Sequence, residues 1–195
     1  MTHLRSLALA AIAATLVAAG PARADDRYEI FNFNKLFGGN DVGYVGTSSP
    51  IGRQMVSIDA KYAPGTIVIR TSERRLYYVT ARGQAIRYGV GVGREGFQWS
   101  GVKTVSAKRE WPGWTPPAQM LKRRPDLPRY MPGGIDNPLG ARAMYLGSSL
   151  YRIHGSNEPE TIGQAVSSGC FRMTNDDVMD LYSRVRVGAT VYVLR

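Results

Sequence analysis

Cys170 and His154 are the side chains in this sequence best suited to covalent chemistry. The 195-residue chain contains one cysteine and two histidines, the other being His3 near the start. A cysteine acts as a nucleophile through its thiolate, so it needs a base or a positive environment close by. A histidine is the side chain whose ordinary pKa lies nearest neutrality. Cys170 ends the run Ser167-Ser168-Gly169-Cys170, a small-residue turn rather than an apolar strand, and Arg172 follows two positions later. Ser168 and Gly169 let the backbone turn sharply enough for successive N–H groups to converge on a developing oxyanion. Nucleophile, base and oxyanion donors at one loop–strand junction are the layout of acyl transfer. The ordinary alternative is a cysteine packed as a small hydrophobe and a hydrogen-bonded histidine.

The two side chains also stand out because other uses for them are closed. One cysteine cannot build a disulfide framework, and too few Cys and His are present for a structural zinc site. Residues 1–24 read as a secretory signal peptide: Arg5 in a basic start, an apolar run from Leu7 to Ala19, then Ala22-Arg23-Ala24 as an A-x-A cleavage pattern. That run is shorter than the about 20 residues needed to span a bilayer, and nothing later is apolar enough to do so. Cleavage after Ala24 would remove His3, Arg5 and Arg23 but no acid, lowering the formal charge from +10 to +8 over 171 residues. His154 would then be the mature chain's one histidine. The expected location is a bacterial periplasm or cell envelope, where an unpaired thiol is exposed to oxidants.

The elements that must position the pair follow from patterning. Residues 25–64 are polar and rich in Gly and Asn, and read as an N-terminal extension. From residue 65 onward, Thr66–Arg70 and Arg75–Val79 suggest a hairpin, and Ala85–Val92 a third strand ending in Gly89, Gly91 and Gly93. That glycine run lacks the Lys-Ser/Thr ending of a phosphate loop and precedes no helical pattern, so it reads as a bent strand and turn. Trp99 to Pro138 holds seven of the eleven prolines and all three tryptophans. It reads as one long loop, either a stiff aromatic wall beside a cleft or a cover for the core. Ala143–Leu146 and Leu150–Ile153 read as strands, the second delivering His154. Tyr145 and Tyr151 on them are candidates to line the cleft or simply to pack. A helix capped by Thr174 or Asn175 should carry Val178, Leu181, Tyr182 and Val185 on one face, with Asp176 and Asp177 in its first turn. Gly188 ends it and Thr190–Leu194 forms a last strand. The expected class is mostly β with one short helix after the cysteine loop.

Ile153-His154-Gly155-Ser156-Asn157 followed by Ser167-Ser168-Gly169-Cys170-Phe171-Arg172-Met173 resembles the signature of the YkuD-type L,D-transpeptidases. The likeness runs from Gly65 to Leu194 and includes Asn137-Pro138-Leu139-Gly140. It implies a β-sandwich-like catalytic domain over residues 65–195 acting on peptidoglycan stem peptides. By that resemblance Cys170 is the nucleophile, His154 the general base, and the Gly155 carbonyl the group that orients it. Gly169 and Cys170 supply oxyanion N–H groups, and Arg172, Ser168, Asn157 and Tyr145 are candidate substrate contacts. Many members carry His where this chain has Ser168, and Phe171 replaces a commoner aliphatic residue. The implied reaction releases D-Ala from a tetrapeptide stem and passes the acyl group to an amine of a second stem, giving a 3→3 cross-link, or to an amine of an outer-membrane protein or lipoprotein. It needs no metal or organic cofactor.

Two other outcomes stay open. Water as acceptor would make the same site a carboxypeptidase trimming stems. A non-catalytic wall-binding module is a different class, and the positive charge would suit anionic surfaces, although such charge usually only solvates a surface. Nucleic acid is not an expected partner, since no recognisable binding motif is present.

Overall fold

The computed structural model describes residues 48–195. The expected signal peptide and most of the expected extension therefore lie outside the described residues. In chain order the elements are β1 (Gln54–Ser57), β2 (Ile67–Arg70), β3 (Arg75–Ala81), β4 (Gln84–Gly89), β5 (Val92–Gly93), β6 (Gly101–Glu110), α1 (Ala118–Arg123), β7 (Arg142–Leu146), β8 (Arg152–His154), β9 (Ala165–Ser167), β10 (Phe171–Arg172), α2 (Asn175–Arg184) and β11 (Thr190–Leu194). A 3₁₀ turn spans Pro159–Thr161.

Nine strands pair in the order β1-β4-β3-β2-β11-β6-β7-β8-β10, and β5 pairs with β9 separately. β6 joins two halves of this sheet. Its first residues pair with β11 and its later ones, from Val105, with β7. The main core lies between the halves: Ile67 and Ile69, Leu76, Tyr88, Met144 and Leu146, Ile153, Phe171, Val191 and Val193 meet Val178 and Leu181 of α2. This is the sandwich-like arrangement of a mostly β domain, in which inward side chains alternate with outward ones along each strand. β2 is buried on both faces because Val68 packs on the outer side with Tyr77, Val79 and Tyr62. Its continuous apolar run, in place of an alternating one, has that cause.

Two elements depart from the reading of residues 99–138 as one loop. The segment opens with the ten-residue β6, in which Val105 alone is buried. A central strand with so little buried side chain shows almost no hydrophobic alternation, and it is held by backbone pairing on both edges. The segment also contains α1, which buries none of its residues. The helix after the cysteine loop is α2, capped by Thr174, whose hydroxyl accepts from the Asp177 N–H (3.3 Å). β1 falls within the segment read as an extension. It pairs antiparallel with β4, and just before it Arg53 ion-pairs with Asp177 (3.1 Å) and Asp180 (3.3 Å) of α2.

Candidate active site

β8 and β10 run parallel, with Ile153 beside Phe171 and His154 beside Arg172. Ile153 and Phe171 are buried in the core, so the two-residue period of a strand sends Arg152, His154 and Arg172 to the opposite face. Cys170, one residue before β10, falls in line with Arg152 and stands diagonally from His154. Diagonal neighbours on adjacent strands lie about 7–8 Å apart at Cα, a spacing that a cysteine and a histidine side chain can close between them. Both line one cleft of about 410 Å³. The fifteen residues between them in sequence are the return path that parallel pairing requires.

His154 is 5% exposed. Its Nδ1 lies 2.6 Å from the Gly155 carbonyl oxygen. A carbonyl can only accept, so Nδ1 carries the proton and Nε2 keeps a free lone pair. Gly155 is itself fixed: its N–H donates to the Arg142 carbonyl (3.0 Å), and a Cβ there would collide with Asn175 Oδ1. That oxygen accepts from the Ala141 N–H (2.8 Å), so the first residue of α2 sets the space in which the histidine-bearing loop turns. Burial pushes the His154 pKa down to about 3, with the Gly155 hydrogen bond opposing and Arg172 and Arg152 adding to the fall. Burial also pushes the Cys170 thiol up, against the lowering effect of Arg152 and Arg172. The resting pair is therefore neutral thiol and neutral imidazole.

The cysteine turn is held from three sides. The Ser167 hydroxyl accepts from the Gly169 N–H (3.1 Å) and donates to the Cys170 carbonyl (2.6 Å). Trp99 Nε1 donates to the Gly169 carbonyl (2.8 Å) while its ring stacks on Tyr151 (centroids 4.6 Å, 13°). Arg94 reaches the Ser168 hydroxyl (3.2 Å). Gly169 has φ +108°, and a Cβ there would meet Tyr151 at 2.6 Å, so only glycine fits this turn.

Of the residues singled out from sequence, Cys170, His154, Ser168, Arg172 and Tyr151 line the cleft. Arg172 is ion-paired with Glu158 (2.6 Å). Asn157 and Tyr145 are not among the lining residues; Asn157 donates to the Asp136 carbonyl (3.1 Å), and Tyr145 lies under the Arg152 guanidinium (5.2 Å). The Pro- and Trp-rich segment also lines the cleft, through Trp114, Pro117, Met120 and Arg123. Sequence reasoning missed Arg152, Ser167, Trp99 and Asn175. Arg152 was findable, because it lies two residues before His154 on a strand and so shares its face. Trp99 was not, since its contact with Gly169 spans 70 residues.

A family model described as the YkuD L,D-transpeptidase catalytic domain matches residues 64–193. A probable L,D-transpeptidase, ErfK/SrfK of Escherichia coli K12, is 39% identical over 137 residues, covering 66% of this chain and 43% of that protein. The probable L,D-transpeptidase YbiS of the same strain is 37% identical over 155 residues, covering 75% and 49%. The chain thus spans less than half the length of these curated relatives. A solved Brucella melitensis structure, named as a probable carnitine operon oxidoreductase, is 47% identical with a TM-score of 0.51, covering 72% of this chain and 92% of that one. An L,D-transpeptidase from Mycobacterium smegmatis shares the fold at 18% identity, TM-score 0.54, covering 67% and 58%. A dinucleotide-binding glycine loop opens a helix; here the run Gly89–Gly93 passes from β4 into β5.

Proposed function

The chain belongs to the YkuD-type L,D-transpeptidase family, and from that membership we propose that it is a cysteine acyltransferase acting on peptidoglycan stem peptides in a bacterial envelope. The observation that carries the reading is the placement of Cys170 and His154 on one face of β8 and β10, with Nδ1 of the imidazole committed to Gly155 and Nε2 free.

In the first half-reaction His154 Nε2 takes the thiol proton as Cys170 Sγ bonds to the carbonyl carbon joining a diamino acid to a terminal D-Ala. The oxyanion is met by the Cys170 N–H. Gly169 was the other expected donor, but its N–H is engaged by Ser167. Collapse breaks the C–N bond, the imidazolium returns its proton to the departing D-Ala amine, and a thioester remains. An amine of a second stem then loses a proton to His154 and attacks the thioester, restoring the thiol and forming a 3→3 cross-link. A protein amine in place of the second stem would anchor that protein to the wall. Nothing in this sequence of steps calls on a cofactor. The residue 1–24 pattern supports export to the compartment where such stems occur.

The test is to incubate the exported form and its Cys170→Ala variant with tetrapeptide muropeptides and weigh the products. Cross-linked dimers with free D-Ala are expected from the wild type alone. Tripeptides without dimers would make it a carboxypeptidase, and identical spectra for wild type and variant would overturn the enzymatic reading.

A further inference from the structure

Three arginines line the cleft, Arg123, Arg152 and Arg172, and no aspartate or glutamate does. They differ in how their charge is met. Arg172, the arginine of the sequence motif, is bound to Glu158 at 2.6 Å. Arg152 and Arg123 have no carboxylate partner among the described residues. The Arg152 Nε is buried without a hydrogen-bond partner, and its guanidinium lies over the Tyr145 ring. Arg123 comes from α1 and lies 5.5 Å over Phe97. A buried polar atom left unmatched is rare in folded proteins, and a guanidinium is shaped to take a carboxylate through two parallel hydrogen bonds.

The position of Arg152 says which carboxylate. His154 must hand its proton to the leaving amine, so the leaving residue extends from the sulfur toward the end of β8. Arg152 stands two residues back along the same face, level with Cys170, and so on the side of the acyl group that stays. We propose that Arg152 is a specificity determinant that binds a free carboxylate on the side chain of the donor's acyl residue, with Arg123 adding attraction from elsewhere in the same cleft. The inference rests on the acyl-transfer reading and names its substrate class: donors whose diamino acid bears an unmodified second carboxylate. It also shifts charge recognition away from Arg172, whose bond to Glu158 makes it a brace between the β10 strand and the loop after His154.

Two tetrapeptide donors test it, identical except that the second carboxyl of the diamino acid is free in one and a carboxamide in the other. Wild type is expected to show a kcat/KM for the carboxylate about tenfold to a hundredfold above that for the carboxamide, as a charge-assisted pair would give. Arg152→Gln should collapse that ratio towards one, chiefly through KM for the carboxylate donor, and Arg152→Lys should restore part of it. The ratio is the informative quantity, because loss of a guanidinium beside Cys170 will slow both donors alike. Equal use of both donors by wild type, or an unchanged ratio in a folded Arg152→Gln protein, overturns the proposal. Were wild type inert toward both, the acyl-transfer reading would fail first. Equilibrium binding of the same two peptides to Cys170→Ala, with and without Arg152→Gln, would then judge the carboxylate site by itself: an Arg152-dependent preference supports it, and none overturns it.

Discussion

With Nδ1 of His154 committed to the Gly155 carbonyl and both groups neutral at rest, the proposed acyl transfer activates the thiol at the moment of attack and not beforehand. The raised Cys170 pKa keeps the thiolate fraction small at neutral pH. Alkylation by iodoacetamide, followed by mass spectrometry, should therefore climb steadily with pH through and above neutrality. A plateau between pH 5 and 8 would instead mean a standing thiolate–imidazolium pair. For His154 the folded pKa of about 3 lies below the ordinary 6.5. Between those values the unfolded chain binds a proton that the native one does not, so stability present above pH 6.5 is lost as pH falls towards 3. The slope should approach about 1.4 kcal/mol per pH unit. Urea denaturation at stepped pH should show it in wild type and a shallower slope in His154→Gln. At this scale the sequence was most legible, because two scarce side chains with matched chemistry were visible from composition and motif. Their protonation states were not legible, since both follow from burial.

Strands and turns decide whether those side chains can meet. The parallel pairing of β8 with β10 makes Cys170 and His154 diagonal neighbours, and the Asn175–Gly155–Ala141 contact at the start of α2 fixes the loop that holds the imidazole. Gly155→Ala would drive a Cβ into Asn175 Oδ1 and move the carbonyl that pins Nδ1. A misplacement of that size should lower kcat about a hundredfold with a smaller change in KM, measured by D-Ala release. The helix α2 was legible from its cap and its i, i+3, i+4, i+7 face, because local spacing encodes both. β6 was not, because its stability comes from backbone bonds to β11 and β7 and leaves almost no hydrophobic alternation. β10 was equally hidden: two residues carry no periodicity, and its identity as a strand comes from pairing with β8 and with Gly91.

Across the described residues, charge and the first strand act over longer distances. The strand β1 is held to α2 through Arg53, half-exposed itself, against the buried Asp177 carboxylate. Arg53→Ala should cost about 1–2 kcal/mol of unfolding free energy, read from chemical denaturation. A cleft lined by arginines and no acids on a strongly basic chain should also steer anionic peptides. KM for a carboxylate-bearing donor is then expected to rise severalfold as salt increases from about 0.05 to about 0.3 M, while a neutral donor changes little. The sequence by itself determined the proposed reacting pair, the small-residue turn before Cys170 and the amphipathic helix behind it. These are written in residue type and short spacing, which local physics reads directly. Only the tertiary structure decided that Arg172 is spent on Glu158 while Arg152 has no carboxylate partner among the described residues, that Trp99 holds the Gly169 carbonyl, and that the proline-rich segment lines the cleft. Each of those depends on contacts between residues distant in sequence, whose pairing is set by how the two halves of the sheet close over their shared core.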